Sequence, residues 1–292
     1  MAVIVKNMEQ NSKQLLKYLI APLIVLLIVV YGVGKQPSVD GFLHVDFLDV
    51  GQGDAIFIQT IAGNQIVIDG GPSDQVIAQL SKRMPFWDRT IEALMLTHPD
   101  ADHVSGFVDI LKRYEVKQVF MTEVSTDTAV YKKFIEMLDE KQVEKTFIRT
   151  GHRIWMDHST VFDVYYPPSD IAEHKLQTND TSIVGKLIFG KTKILFTGDS
   201  SSLVERFLLP QFDLDADILK VGHHGSRTST SPEFVSEVSP QFSVIGVGSK
   251  NNYGHPTQMV LDILRAADSE VLRTDQMGTI EFESDGFNLY KR

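Results

Sequence analysis

The stretch Thr97-His98-Pro99-Asp100-Ala101-Asp102-His103-Val104-Ser105-Gly106 places four side chains able to bind a metal within six positions. An apolar run of strand length precedes it at residues 91–96, and residues 104–114 follow it with helical spacing. This pattern predicts a loop between a strand and a helix, on which imidazoles and carboxylates can turn towards one point. A solvated loop with an aspartate helix cap would explain one carboxylate but neither histidine. We therefore interpret the stretch as a metal site.

The composition is that of a folded protein without thiol chemistry. The 292 residues are 43% hydrophobic, which is enough for a domain with its own core. Because cysteine is absent, any metal must be held by histidine, carboxylate and water. The net charge of −10 predicts a poor generic binder of nucleic acid, although bound divalent cations would offset part of that charge locally.

The N-terminal segment differs from the rest of the chain. Residues 18–34 run without a charged side chain, and at about 1.5 Å per residue such a helix just crosses a bilayer core. Lysines in residues 1–17 favour a cytoplasmic start, with everything after Lys35 outside the cell. We expect a single-pass protein of the cell membrane with an extracytoplasmic domain. The alternative is a cleaved signal segment and a secreted domain, since Gly32-Val33-Gly34 offers a small-x-small site.

After a linker at residues 35–40, short strands and amphipathic helices alternate through one expected domain at residues 41–292. The predicted strands are residues 43–48, 55–60, 65–68, 91–96, 116–121, 146–149, 161–166, 182–189, 193–196, 217–221, 242–247, 271–273 and 279–282. The predicted helices are residues 74–82, 104–114, 128–142, 202–209, 232–238 and 257–267. So many strands favour a mixed α/β architecture, with helices covering sheets, over a barrel of regular strand-helix units.

Polar side chains recur where these strands end. One predicted strand runs into Asp69, another into Asp199, and a third into His223 and His224. In layered α/β folds such loops converge on one site. We therefore expect two divalent metal ions, with Asp199 bridging them through its two oxygens. The expected ligands are His98, Asp100, Asp102, His103, Asp199 and one of the two C-terminal histidines, His223 and His224.

Assembled in this way, the residues resemble the metallo-β-lactamase superfamily of dinuclear hydrolases, whose motif is H-x-H-x-D-H after a strand. The chain departs from that motif at Asp100, and its H-x-D-x-D-H form is similar to the soluble domain of ComEC-type competence proteins of DNA uptake. Residues 47–55, 219–226 and 253–256 also match that group. The similarity covers about residues 42–284 and implies a four-layered αββα sandwich with the metals at one edge between two sheets.

The resemblance also implies differences from its relatives. Asn179 stands where many of them carry a further metal-binding histidine. With Asp100 in place of an imidazole, the first metal site becomes oxygen-rich, so we expect it to accept Mn²⁺ more readily than a histidine-rich site, with Zn²⁺ as the alternative and weak occupancy as one outcome. A ComEC-type protein also has a multi-spanning channel and an oligonucleotide-binding module, so this chain alone is not expected to be a translocation channel.

The remaining site residues are assigned by position. Adjacent residues at a strand end point in opposite directions, so one of His223 and His224 should face the metals; we favour His224. The residues expected to act in catalysis are Asp102, Asp199 and His223. Those expected behind the ligands or against the substrate are Asp54, Asp69, Asn179 and His255.

The favoured function is a membrane-anchored metallohydrolase that cleaves a phosphodiester, in DNA by resemblance, with water activated by the metals. The alternatives are a phosphodiesterase of a cell-envelope polymer, similar to phosphorylcholine esterases of teichoic acid, and a catalytically silent metal-binding module. A β-lactamase is disfavoured by the changed ligands. The expected partners are the phosphodiester substrate and the membrane, and the sequence identifies no protein partner.

Overall fold

Two β-sheets that face each other form the centre of the fold. The computed structural model describes residues 40–171 and 176–292. The strands of these residues are β1 (Leu43–Phe47), β2 (Ile56–Gln59), β3 (Gln65–Ile68), β4 (Thr90–Met95), β5 (Glu115–Met121), β6 (Glu144–Phe147), β7 (Arg153–Trp155), β8 (Thr160–Tyr166), β9 (Val184–Phe189), β10 (Thr192–Phe196), β11 (Ile218–Lys220), β12 (Phe242–Ile245), β13 (Glu270–Arg273), β14 (Ile280–Ser284) and β15 (Leu289–Lys291).

Each sheet is antiparallel in one part and parallel in the other. The first has the order β15-β14-β1-β2-β3-β4-β5-β6, and the second has the order β13-β12-β11-β10-β9-β8-β7. Strands β3 to β6 are parallel in the first sheet, and β10 to β13 are parallel in the second. Loops at the carboxyl ends of parallel strands gather at one edge of a sheet. The segments that follow β3, β4, β10 and β11 therefore supply the site described below.

Helices lie on the outer face of each sheet. They are α1 (Gln75–Arg83), α2 (Ala101–Arg113), α3 (Ala129–Glu140), α4 (Ser202–Leu208), α5 (Pro232–Val238), α6 (Gln258–Ala266) and the short α7 (Thr274–Met277). Buried apolar side chains of α1, α2 and α3 form one cluster with the outward side chains of the first sheet. Those of α4, α5 and α6 form another with the second sheet.

A third apolar layer lies between the two sheets, and it arises because side chains alternate in direction along each central strand. In β10, Ile194 and Phe196 point into the cluster between the sheets, whereas Leu195 points to the helices. The ring of Phe196 stacks on Phe47 of the opposite sheet, with ring centroids 6.2 Å apart. Burial on both faces accounts for the nearly continuous apolar sequence of such strands. Four structural layers thus enclose three apolar layers, which confirms the predicted αββα sandwich.

The structure corrects the predicted elements at the edges of the sheets and at the start of α2. The sequence prediction omitted β7 and β15, which are short and exposed for most of their length, so they carry little apolar pattern. Helix α2 begins at Ala101 rather than at residue 104. Its first turn is polar because Asp102 and His103 face the site, and the apolar period from which the helix was predicted starts only at Val104.

The predicted transmembrane segment at residues 18–34 lies outside the described residues, as do residues 1–17 and most of the predicted linker. Within residues 40–171 and 176–292, no helix combines the length and apolar character needed to cross a bilayer.

Contact between two glycines fixes α2 against the end of β3. The amide of Gly70 donates to the carbonyl oxygen of His103 at 2.6 Å, and the amide of Gly106 donates to that of Gly71 at 3.1 Å. A Cβ atom on Gly106 would lie 1.9 Å from the carbonyl oxygen of Gly70. A side chain at either position would therefore push the first turn of α2, with its metal-capable residues, away from the sheet.

We predict that Gly106→Ala destabilises the protein by about 1–3 kcal/mol, the usual cost of overpacking. At other positions in a helix, replacing glycine by alanine stabilises the protein by up to about 1 kcal/mol. A destabilising effect at Gly106 would therefore be evidence for its close contact with Gly70. The free energy of unfolding is measured by urea denaturation. Ser105→Ala is the control, because the Ser105 hydroxyl bonds only within its own helix. Equal or greater stability of Gly106→Ala would contradict the prediction.

Candidate metal centre

Four side chains from three segments of the chain meet at the edge of the sandwich. Asp102 and His103 lie in the first turn of α2, Asp199 follows β10, and His224 follows β11. One ligand atom from each lies within 4.8 Å of the others. We call these four residues the ligand cluster. Nε2 of His103 and Nε2 of His224 lie 3.4 and 3.3 Å from Oδ2 of Asp199, and Nε2 of His224 lies 3.4 Å from Oδ2 of Asp102.

Unpaired buried atoms show that these residues suit a cation. Nε2 of His98, of His103 and of His224 and Oδ1 of Asp199 are all buried without a hydrogen-bond partner among the described residues. An unsatisfied buried polar atom costs about 1–3 kcal/mol. Here several such atoms lie together, and all of them can donate a lone pair once the histidines are neutral. They form the donor set of a divalent metal site built from nitrogen and oxygen.

The other ring nitrogens of the histidines have partners that set the direction of each ring. Nδ1 of His103 lies 2.8 Å from Oδ2 of Asp69, and Nδ1 of His224 lies 2.8 Å from the carbonyl oxygen of Gly246. Nδ1 of His98 lies 3.0 Å from the hydroxyl of Thr97. With a proton on each Nδ1, the three Nε2 atoms are left as acceptors facing the cluster.

Asp69 lies against the Nδ1 side of His103. The amide of Thr97 donates to its Oδ1 at 2.8 Å, and the hydroxyl of Thr97 donates to its Oδ2 at 2.7 Å. Burial raises the pKa of Asp69, although His103 and Thr97 stabilise the carboxylate. Its backbone has a φ of 56°, in the left-handed region that a residue other than glycine occupies only when its surroundings demand it.

His98 and Asp100 lie beside the ligand cluster. The ring centroid of His98 is 4.1 Å from that of His103, and its Nε2 is 3.7 Å from Oδ2 of Asp100. Oδ2 of Asp100 also accepts a hydrogen bond from the hydroxyl of Thr178 at 3.0 Å. Burial raises the pKa of Asp100. Although Asp100 occupies the N-cap position of α2, its side chain makes no cap hydrogen bond, so the capping interpretation does not account for it.

The two adjacent histidines after β11 lie in different surroundings. His224 enters the ligand cluster, whereas His223 is partly exposed and lies 3.1 Å through Nε2 from the side-chain nitrogen of Asn179. Both have left-handed backbones, with φ values of 47° for His223 and 52° for His224. Two consecutive strained residues cost about 1–3 kcal/mol each, a pattern that clusters at functional sites. His255 packs against His223, with ring centroids 5.6 Å apart.

The site stabilises positive charge. Burial opposes protonation of His224, but the charges of Asp199 and Asp54 outweigh it and raise its pKa to about 10. Burial likewise opposes protonation of His103, yet Asp199 and Asp69 raise its pKa well above the usual value. Burial disfavours the carboxylate of Asp102, but His224 and His103 lower its pKa to about 2.

The pKa values of Asp199 and His98 are also set by burial and by nearby charges. For Asp199, burial is again the largest effect, and the histidines reverse it so that the pKa lies well below the usual value. For His98, burial prevails and lowers the pKa well below the usual value, so its ring is neutral.

Sequence reasoning missed Lys220, which lies beneath the cluster. Its side chain is buried, and Nζ lies 2.5 Å from Oδ2 of Asp54, itself buried. Oδ1 of Asp54 lies 3.6 Å from Nδ1 of His224. The signal was a lysine within the otherwise apolar run Ile218-Leu219-Lys220-Val221. A lysine buried in a central strand needs a buried partner, and Asp54, already expected near the site, is that partner.

Comparison with known proteins identifies the family. The Metallo-beta-lactamase superfamily profile matches residues 48–248. The chain belongs to the metallo-β-lactamase superfamily. Members of this superfamily are generally metal-dependent hydrolases, and the ligand cluster is the candidate metal site of this one.

Among curated proteins, the chain is similar to "ComE operon protein 3" of Bacillus subtilis, with 30% identity over 257 residues, or 82% of the chain and 33% of that protein. It is also similar to "Recombination protein 2" of Haemophilus influenzae, with 32% identity over 242 residues, or 81% of the chain and 28% of that protein. The chain thus spans about a third of the length of these relatives.

Among solved structures, the fold is similar to that of the metallo-beta-lactamase fold protein YhfI from Bacillus subtilis. The TM-score is 0.57 at 10% identity, and the match covers 83% of the chain and 100% of that protein. This likeness supports the same layered fold.

We predict that Lys220→Met lowers the free energy of unfolding by about 3–5 kcal/mol, because it leaves Asp54 buried and uncompensated. A double variant that adds Asp54→Asn should recover much of that loss, since neither partner is then an unpaired charge. Urea denaturation of the single and double variants measures the coupling.

Lys193→Met is the matched control for this cycle. Lys193 pairs with Asp215 on the surface, at 2.7 Å, so its loss should cost no more than about 1 kcal/mol. Additive effects of Lys220→Met and Asp54→Asn would show that the buried pair is not coupled.

Proposed function

We propose that this protein is a metal-dependent phosphodiesterase that hydrolyses DNA. The observation that carries the proposal is the set of buried imidazole nitrogens and carboxylate oxygens, four of which have no hydrogen-bond partner among the described residues. A polar cavity is lined in part by His223, the chain neighbour of His224. Similarity to proteins named for competence and recombination supports DNA as the substrate. The chain covers a third or less of those proteins, so their whole activity is not transferred with it.

The proposed centre holds two divalent ions. The ligand cluster would hold the tighter one, while His98 and Asp100 would contribute to a second that shares Asp199. The chemistry that such ions supply is activation of water near neutral pH and polarisation of a phosphoryl oxygen. Since Asp100 replaces an imidazole, the second position is richer in oxygen and should favour Mn²⁺ over Zn²⁺ more than a histidine-rich site does.

The residues around the ligands have separate tasks in this proposal. Asp69 and Thr97 hold the rings of His103 and His98 so that their Nε2 atoms stay aimed at the cluster. Asp199 contributes both oxygens, and Asp102 and Asp199 stay ionised because the surrounding imidazoles stabilise their charge.

His223 is the group proposed to touch the substrate. It is partly exposed and lies between Asn179 and the hydroxyl of Thr228, 3.3 Å from its Nδ1. From there it can donate to a phosphoryl oxygen or to the departing oxygen.

The cavity beside His223 has the chemistry of a phosphate site. Its volume is about 460 Å³, and its lining includes the hydrogen-bond donors Asn179, Arg206, His223 and Thr228. The lining also includes one carboxylate, that of Asp180, which accepts a hydrogen bond from the amide of Ser201 at 3.1 Å. Guanidinium, imidazole, amide and hydroxyl groups all donate hydrogen bonds to phosphate oxygens. A larger cavity of about 860 Å³ is lined by residues such as Val235 and Ile263, contains none of the predicted site residues, and plays no part in the proposal.

The location is part of the proposal. Residues 18–34 would anchor the protein in the cell membrane with the hydrolase domain outside, as the lysines before them favour. Protease treatment of intact cells and of lysed cells, followed by detection of the domain, tests this orientation. A domain protected in intact cells whose outer layers are permeable to the protease would contradict it.

We predict that Asp199→Ala lowers DNA hydrolysis by more than about 100-fold, beyond the 10- to 100-fold typical of a group behind the ligands. The full chain is assayed in detergent on single-stranded DNA, on p-nitrophenyl phosphorylcholine and on a cephalosporin, with Mn²⁺ or Zn²⁺, and its metal content is measured. Asp262→Ala, an exposed carboxylate of α6, is the control.

The outcomes of this assay separate the candidate functions. Hydrolysis of the choline ester alone would favour an envelope phosphodiesterase and overturn DNA as the substrate. A chain that binds metal but turns over none of the substrates would favour the silent metal-binding module.

We predict that Asp100→His shifts the metal preference from Mn²⁺ towards Zn²⁺. The change replaces an oxygen ligand with nitrogen next to His98, and imidazole suits zinc better than manganese. Calorimetric titration of the metal-free protein with each ion measures the ratio of affinities. Asp109→His, in the same helix but outside the site, is the control, and an unchanged ratio in Asp100→His would show that Asp100 is not a ligand.

A further inference from the structure

Four rings form a row from the ligand cluster to the surface. Ring centroids are 6.3 Å apart between His224 and His223, 5.6 Å between His223 and His255, and 6.0 Å between His255 and Tyr253. The last two rings are nearly parallel, with an angle of 15° between their planes. We call these residues the ring row. Its inner end is a ligand, and its outer end is a tyrosine.

Tyr253 is the exposed end of this row. It is 72% exposed, although a tyrosine ring is largely apolar and usually packs against its neighbours. One face is turned to His255, so the opposite face is open to a planar ligand. Burial lowers the pKa of His255, as does the proximity of His223, which keeps the imidazole next to Tyr253 neutral and suited to stacking.

The loop that carries Tyr253 is held in place by Asn251. Oδ1 of Asn251 accepts a hydrogen bond from the amide of His255 at 3.1 Å, and its Nδ2 donates to the carbonyl oxygen of His255 at 2.9 Å. Gly254 has a φ of 72°, which lets the chain turn between the two rings. The platform is therefore formed before a ligand arrives, which reduces the entropy lost on binding.

A stacking surface matches the charge of this protein. Neutralisation of phosphates by lysine and arginine supplies most of the affinity of ordinary DNA-binding proteins. A chain of net charge −10 has little of that general attraction. Stacking of a base on an aromatic ring contributes about 1–3 kcal/mol, is insensitive to base identity and needs no surface charge.

We propose that Tyr253, supported by His255, is a stacking platform for a nucleobase of the strand whose phosphodiester lies at the ligand cluster. The inference rests on the proposed function, because it assumes that the substrate is a polynucleotide. Only an unpaired base offers its faces to a protein ring, so the platform makes single-stranded DNA the preferred substrate over duplex.

Tyr253→Ala and Tyr253→Phe in the full chain test the platform. Phenylalanine keeps the stacking face, whereas alanine removes it. We expect Tyr253→Ala to raise KM for a single-stranded oligonucleotide about 5- to 150-fold, which corresponds to the energy of one stacked base. We expect kcat at saturation and metal content to stay near those of the parent, and Tyr253→Phe to behave as the parent does.

A substrate with one abasic nucleotide supplies the matching change on the DNA side. Placed on the side of the scissile bond that contacts Tyr253, it should weaken binding to the parent by a similar factor and add little to Tyr253→Ala. Binding is also measured by fluorescence anisotropy on an oligonucleotide with a non-hydrolysable linkage at the scissile position, so that turnover is prevented while the ligand cluster stays intact. The salt dependence of that binding should be shallow, because few phosphates are neutralised.

The outcomes distinguish the inference from the function on which it rests. If the parent hydrolyses DNA but Tyr253→Ala and Tyr253→Phe have the same KM, or abasic DNA binds as well as intact DNA, the platform is overturned and the nuclease stands. If the parent neither binds nor hydrolyses DNA, both are overturned.

Discussion

The buried carboxylate of Asp69 is the interaction on which the site depends. It stands at the end of β3 and accepts hydrogen bonds from the amide and the hydroxyl of Thr97, after β4, and from Nδ1 of His103 in α2. The hydroxyl of Thr97 in turn lies within hydrogen-bond distance of Nδ1 of His98. One side chain thus orders two parallel strands, the loop between β4 and α2, and two of the imidazoles. In the part of the chain that the structure describes, the Nε2 atoms of both imidazoles have no hydrogen-bond partner, so they remain available at the cluster.

A second buried charge pair supports the opposite side of the site. Lys220 and Asp54 come from different sheets, and Asp54 reaches Nδ1 of His224. Such pairs seldom add stability compared with apolar residues of similar size, because both ions lose their hydration. Here the pair fixes the position of two segments: it joins β11 to the loop before β2, next to His224. The site is therefore built from fixed charges on both sheets, and the close glycine contact between β3 and α2 sets the depth of the metal-capable turn.

The sequence predicted best those elements whose residue pattern has a single structural explanation. The apolar strands buried on both faces were predictable, because the alternation of Ile194, Leu195 and Phe196 serves two cores at once. Edge strands such as β7 were not, since exposed residues carry no periodic signal. The spacing of apolar residues could not show that α2 starts within the motif, because the side chains of its first turn face the site and not the core. Lys220 was missed because a buried cation is intelligible only once its partner is placed.

Bound metal ions would allow an acidic protein to act on a polyanion. Around the cluster, the carboxylates of Asp54, Asp69, Asp102 and Asp199 outnumber the cations, which are Lys220 and, without metal, the protonated His103 and His224. The metal-free site therefore offers a phosphodiester no net positive charge. Two divalent ions would carry four positive charges and reverse the sign of the local potential, whereas the distant acidic surface is screened beyond about 10 Å at 0.1 M salt. Attraction for a phosphodiester would then arise only at the metal-loaded centre. If the proposed function holds, the charges also set the order of events: the metal ions would bind first, and the substrate would be held by the site they create and by contacts that carry no charge.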